Sequence, residues 1–258
     1  MKRNGSSIHL SCMELKDKVV LITGGRRIGQ VVAHELAVRG AHLALAYRGS
    51  RSEAEASACD AKKLGRQAAV IQADVSKAAD CDALVTKTVE ALGHLDAVIN
   101  MASVYASEPF DAMTEASWDR NLGINLKAAF LCSYAAARVM RANGGGRIIN
   151  FADWLAGSGR PNYAGFTAYY VAKAGVIALT EAMALELAAV GVLVNAIAPG
   201  PILPPPDMTE EEREEVAAAT PVQRWGGEQE IVKAVLALID TDFITGETVR
   251  VDGGRHLK

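Results

Sequence analysis

VVLITGGRRIG, Val19–Gly29, is the stretch on which the fold turns. Its first five residues are apolar or β-branched, as in a strand buried on both faces. Gly24 and Gly25 then interrupt the run, and beyond them Val31, Val32 and Leu36 recur at helical spacing. Strand, glycine turn and helix in that order form the first half of a parallel βαβ unit. Glycines at such a junction let backbone N–H groups approach phosphate oxygens at a helix N-terminus, where the macrodipole favours negative charge. Arg26 and Arg27 sharpen that reading, because a structural turn has no need of adjacent guanidiniums and a phosphate does.

Working outward, the same alternation continues. Short apolar runs lie at 42–47, 68–74, 95–100, 147–153 and 192–199, with helical stretches between them, such as the one carrying Cys81, Leu84, Val85 and Leu92. Repeated strand, helix, strand units imply right-handed crossovers and an α/β fold with a parallel sheet covered by helices on both faces. The chain has 258 residues, within reach of a single α/β unit. One domain is expected over residues 13–258, and residues 1–12, MKRNGSSIHLSC, read as a disordered extension because the folded pattern begins near Met13.

Composition narrows the function classes. Half of the residues are hydrophobic and 23 are glycine, so a large core can form from small side chains at short helix-to-sheet distances. The net charge of −3 is spread without a basic block, which excludes a phosphate-backbone footprint; no nucleic-acid partner is expected. No apolar run reaches the roughly 18–20 residues of a membrane span, and no secretory h-region follows the N-terminal charges, so a cytoplasmic protein is expected. Cys12, Cys59, Cys81 and Cys132 lack metal-site or disulfide spacing and read as buried free thiols; no metal is expected.

Three further stretches carry chemistry. The second strand ends in AYRGSRSE, 46–53, where Arg48 and Arg51 stand in place of the acid that would hold a ribose 2′-hydroxyl. A 2′-phosphate suits them, which favours NADP(H). YYVAK, 169–173, sets Tyr169 and Lys173 on one helix face, where an ammonium would favour phenolate and tune the phenol for proton exchange near neutral pH. INFADW, 149–154, places Asp153 where a strand ends. The segment PGPILPPPDMTEEEREE, 199–215, is proline-blocked until Thr209 opens an acidic helix, and it follows a strand's carboxyl end as a lid over a ligand would.

TGGRRIG, Asp74 in QADVS, NMAS at 100–103, Asn125 in GINLKAAF, YYVAK, NAIAPG at 195–200 and VDGG at 251–254 occur in order, and together they resemble the short-chain dehydrogenase/reductase family over about residues 14–256. The resemblance implies a single-domain Rossmann-type doubly wound parallel sheet, a nicotinamide cofactor, hydride transfer to a small-molecule substrate and a homotetramer. It implies Tyr169 for proton transfer, Lys173 for tuning that tyrosine and holding the nicotinamide ribose, and Asn125 for ordering a relay water. Asp74 would contact the adenine. Gly24, Arg26, Arg27, Ile28, Arg48 and Val75 would line the phosphate and adenosine end of the cleft. Asn100, Ala102, Ser103, Pro199, Gly200 and Ile202 would line its nicotinamide end. Ser103, Tyr105 and Trp154 fall on the substrate side.

Most of the family has a serine at the position of Asp153. A carboxylate there opposes a developing alkoxide unless protonated, whereas an acid suits a ring nitrogen. In this respect the chain is similar to the pteridine reductase branch, which also has an arginine at the position of Arg27 and a serine and stacking aromatic at those of Ser103 and Tyr105. Two departures bear on this. The glycine turn is one residue shorter than the family pattern, and WLAGSGRPNYAGFT puts extra residues between Asp153 and Tyr169. Two alternatives follow: Asp153 acts on the substrate, or Ser158 supplies the hydroxyl and Asp153 caps the strand end. A 3-oxoacyl or general carbonyl reductase shares every cofactor motif, and a non-enzymatic NADPH-binding regulator would share the fold.

Overall fold

Every β-strand belongs to one sheet in the computed structural model, which describes residues 13–158 and 164–258. The strands are β1 (Val19–Thr23), β2 (His42–Tyr47), β3 (Ala68–Gln72), β4 (Ala97–Asn100), β5 (Gly146–Phe151), β6 (Val192–Pro199) and β7 (Thr248–Val251). All pair in parallel in the order β3-β2-β1-β4-β5-β6-β7, so the winding reverses between β1 and β4. The cleft outside the strands' carboxyl ends at that reversal is where open α/β sheets bind ligands.

The helices cover both faces as the crossovers require. One face packs α1 (Ile28–Val38), α2 (Arg51–Lys63) and α9 (Glu228–Asp240) through Val32, Leu36, Ala54, Ala58, Ile231 and Val235. The other packs α3 (Ala78–Leu92), α5 (Ala128–Ala142) and α7 (Thr167–Leu187) through Leu84, Val85, Ala136, Met140 and Ala184. The alanines bring these helices close to the Val, Ile and Leu side chains of β1, β4, β5 and β6, almost all fully buried.

Some boundaries differ from expectation. β3 stops at Gln72 because Asp74 folds back on Ser76, accepting bonds from its N–H (3.2 Å) and its hydroxyl (2.7 Å). β5 stops at Phe151, two residues before Asp153, so Asp153 is a turn residue rather than the strand's last one. Thr248–Val251 was not foreseen as a strand; its residues are only partly buried at the sheet's edge, so no apolar run marks it. Residues 1–12 lie outside the described residues, and Cys12 with them; Cys81 and Cys132 are buried free thiols, but Cys59 is exposed. Among the described residues no helix is long and apolar enough to cross a membrane.

Candidate functional site

The glycine turn is shaped by contact with the end of β4. Gly24 has φ of 75°, and a Cβ there would lie 2.6 Å from the backbone N of Ala102, so no other residue fits without moving the chain. A Cβ on Gly25 would meet nothing within 4 Å, which leaves an open concavity beside the start of α1. Next to it lies a cavity of about 530 Å³ walled by Thr23, Gly24, Arg26, Arg48, Asp74, Val75, Ala102 and Ser103 among others. The Arg26 guanidinium pairs with Glu53 at 3.2 Å. Arg48 has no acid within ion-pair distance among the described residues, although its charge helps to hold the Asp74 carboxyl below its ordinary range, after the dominant bond from the Ser76 hydroxyl.

A second cavity of about 460 Å³ adjoins the first, sharing Met101 and Ser103 as walls. Its floor is Asp153, Tyr169 and Lys173, brought together from the turn after β5 and one face of α7. The Tyr169 hydroxyl donates to Asp153 Oδ2 at 2.9 Å, and Asp153 Oδ1 accepts from the Leu155 N–H at 2.9 Å, so the carboxyl also caps the short helix α6 (Trp154–Ser158). Lys173 Nζ donates to the Phe151 carbonyl at 2.7 Å and lies 5.6 Å from the Tyr169 ring centroid.

The electrostatics correct one expectation. Burial, then the charge and hydrogen bond of Asp153, push the Tyr169 phenol well above its ordinary pKa rather than below it. The ammonium of Lys173 is turned to a carbonyl and not to the phenol oxygen, while the carboxyl sits directly on that oxygen. Burial raises Asp153, against the Leu155 N–H, Tyr169 and Lys173, and lowers Lys173 to about 8. All three shifts favour the neutral forms.

Other expected residues fall into three groups. Val75, Ala102 and Ser103 line the first cavity; Tyr105, Trp154, Pro199 and Gly200 line the second. Tyr105 stacks on Phe166 (4.6 Å, 20°) and meets the Tyr169 ring edge-on at 4.9 Å, so one of its faces is already covered. Asn100, Ile28, Arg27 and Ile202 line neither cavity. Asn100 lies beneath the cleft, donating to Ser133 Oγ and Asn150 Oδ1, both at 2.9 Å. Ile28 and Ile202 pack against the core. Arg27 donates to the Pro204 carbonyl at 3.0 Å, which ties the glycine turn to the 199–209 segment.

Asn125 sits in a π-helical turn, Gly123–Lys127, between α4 (Glu115–Leu122) and α5. Its Oδ1 accepts from Ser103 Oγ (2.6 Å) and the Val104 N–H (3.1 Å), and its Nδ2 donates to the Val104 carbonyl (3.0 Å) and Asn121 Oδ1 (2.8 Å). Both lone pairs and both protons of the side chain are thus engaged within the protein. Ser158 donates to the Leu155 carbonyl at 2.7 Å and does not line the second cavity. Tyr163 lies outside the described residues.

The 199–209 segment and α8 (Glu210–Ala219) form the cavity's far wall through Pro201, Leu203, Pro205, Met208 and Val216, as a lid would. Thr209 and Glu212 close a capping box on α8, and Trp225 Nε1 holds the helix by donating to the Arg213 carbonyl at 3.1 Å. Phe166, Trp225 and Arg255 were not foreseen at the site. Only Arg255 had a sequence signal, its place directly after VDGG.

The chain matches a family model described as enoyl-(acyl carrier protein) reductase over residues 24–256. It is 36% identical over 247 residues to a 3-oxoacyl-(acyl-carrier-protein) reductase of Staphylococcus aureus, covering 93% of this chain and 98% of that one. A (2S)-((R)-hydroxy(phenyl)methyl)succinyl-CoA dehydrogenase subunit of Thauera aromatica is 33% identical over 255 residues, covering 95% and 99%. Among solved structures, a short-chain dehydrogenase/reductase from Serratia marcescens superposes with a TM-score of 0.87 at 31% identity, covering 95% and 100%.

Proposed function

The chain belongs to the short-chain dehydrogenase/reductase family and is an oxidoreductase of that type, and from this premise we propose that it reduces the carbonyl carbon of a small, mainly apolar substrate with NADPH. The observation that carries the reading is the convergence of Tyr169, Asp153 and Lys173 on the floor of an apolar cavity that opens onto the arginine-flanked one.

The residues fit the cofactor. The open space over Gly25 and the close packing of Gly24 shape a cradle for a pyrophosphate, and Arg48, with no acid partner among the described residues, suits a 2′-phosphate. Asp74 and Val75 would flank the adenine, Ala102 and Ser103 the adjoining ribose, and Lys173 the second ribose. Bound there, the reduced nicotinamide would supply a hydride to the acceptor carbon. The protein's own part is a proton and a polarising contact. The Tyr169 hydroxyl gives the proton to the carbonyl oxygen, and Lys173, charged below about pH 8, opposes the negative charge left behind. Asp153 takes the place of a polarising hydroxyl: burial favours its neutral form, which can donate a second hydrogen bond to the same oxygen. Asn125 acts through Ser103 as a positioning residue.

The named activities of the relatives in Staphylococcus aureus and Thauera aromatica support a ketone within an acyl thioester as the substrate class. A second reading, reduction of a C=N bond in a pterin-like ring, rests on the Asp153 carboxyl beside Tyr105; the stacking of Tyr105 on Phe166 leaves that ring less able to clamp a heterocycle. Assembly as a homotetramer belongs to the same proposal. NADPH consumption with a 3-oxoacyl thioester, a cyclic diketone, a β-ketoester and dihydrobiopterin tests it. Turnover of ketones with NADPH preferred over NADH is expected. Faster turnover of dihydrobiopterin than of any ketone moves the assignment to the second reading, and no consumption with any acceptor refutes both.

A further inference from the structure

We propose that Arg255 recognises a carboxylate on the substrate, so that the preferred substrates are keto acids carrying a negative charge away from the reacting carbonyl. The inference rests on the carbonyl-reductase reading above. Its basis is the balance of charge in the second cavity, whose lining includes one acid, Asp153, and two cations, Lys173 and Arg255. Lys173 is buried and spends a hydrogen bond on the Phe151 carbonyl. Asp153 is engaged by Tyr169 and Leu155. Arg255, by contrast, has no acid within ion-pair distance among the described residues, although Asp252 is only three positions away; that carboxylate is taken by His256 Nδ1 at 2.6 Å and by the N–H groups of Gly254 and His256.

The position is built rather than incidental. VDGG closes β7, Gly254 takes φ of 82°, and a short 3-10 turn, Arg255–Leu257, delivers the side chain against α6. There the guanidinium lies over the Trp154 ring at 5.9 Å to its centroid. A guanidinium lying over an aromatic face can still present N–H groups to a planar oxyanion. The surrounding wall, with Leu203, Met208 and Trp225, is apolar and Arg255 is half-buried, so an anionic ligand that reaches it gains a charge-assisted bond less screened than at an open surface.

The test uses a graded series of methyl ketones ending in a carboxylate, each beside its methyl ester, with wild-type enzyme, Arg255→Gln and Arg255→Lys. Two readouts are taken: KM in NADPH-dependent reduction, and equilibrium affinity from quenching of tryptophan fluorescence, which needs no turnover. For at least one chain length the wild type should favour the acid over its ester by about 10-fold to 100-fold, the size of one charge-assisted hydrogen bond. Arg255→Gln should collapse that ratio and Arg255→Lys restore part of it. A purely packing role predicts equal losses on acid and ester and an unchanged ratio. Wild-type protein that binds acid and ester equally at every length overturns the proposal. Acid-selective binding without reduction would sustain it while refuting the carbonyl-reductase reading.

Discussion

Asp153 is the residue on which the chemistry depends most. It caps α6 and accepts a hydrogen bond from the Tyr169 hydroxyl, yet burial works against its charge. Asp153→Asn keeps an oxygen for the Leu155 N–H and removes a buried ionisable group. It should therefore stabilise the protein while lowering turnover, because an amide nitrogen in the place of Oδ2 cannot accept the hydrogen bond that orients the Tyr169 hydroxyl. The sign follows from the raised folded-state pKa. Below the unfolded-state value both states hold a neutral carboxyl and the variant gains nothing. Its advantage grows as pH rises through the folded pKa and is constant above it. Thermal melts across pH check this; a variant less stable than wild type at neutral pH contradicts it. Lys173 gives the complementary limb. Burial lowers its pKa to about 8, so its ammonium is lost as pH rises past that value, and kcat/KM should fall there. In Lys173→Arg that alkaline fall should move up by more than one pH unit even if overall activity drops, since a guanidinium stays charged. An unmoved limb would assign the titration to another group.

Elements explain which parts of this site were legible in the chain. VVLIT, HLALAY and VLVNAIAP announce strands because buried parallel strands need continuous apolar runs, and the chemistry hangs on their carboxyl ends. The irregular 199–209 stretch was legible through its prolines, and α8 through the Thr209 capping signal. Thr248–Val251 was not, because a half-exposed edge strand needs no such run; the π turn at Asn125 was not, because it keeps the helical pattern around it. Arg255 and Trp225 reach the cavity from segments distant in sequence from Tyr169, and Phe166 bears on it by stacking on Tyr105, so packing rather than local pattern places them. The junction of β1 and α1 offers a test that separates shape from binding. Gly24→Ala forces a Cβ against the Ala102 backbone at positive φ and should cost roughly 1–2 kcal/mol or more. Gly25→Ala meets nothing in the protein and should leave Tm within about 1 °C, yet it fills the space proposed for a phosphate and should weaken NADPH binding by about 10-fold or more. Unchanged NADPH affinity in Gly25→Ala would remove the pyrophosphate from that cradle.

At the scale of the whole molecule, the seven-stranded sheet places two cavities side by side over the point where its winding reverses, one flanked by arginines and one by aromatic and aliphatic walls. Meeting at Met101 and Ser103, they would bring the reactive end of a bound nicotinamide cofactor beside the phenol of Tyr169, the feature that the account asks to carry the proton. The measurement that bears on this most directly is turnover by Tyr169→Phe with NADPH and whichever ketone the wild type reduces best, made beside the NADPH dissociation constant of each protein. Removing one oxygen keeps the ring that packs on Tyr105 and Phe166, so the fold and cofactor affinity should persist. A loss of about 10²-fold to 10⁴-fold in kcat with NADPH affinity changed less than a few-fold is the predicted result. A Tyr169→Phe enzyme that turns over at the wild-type rate would contradict it, and the proton would have to come from elsewhere.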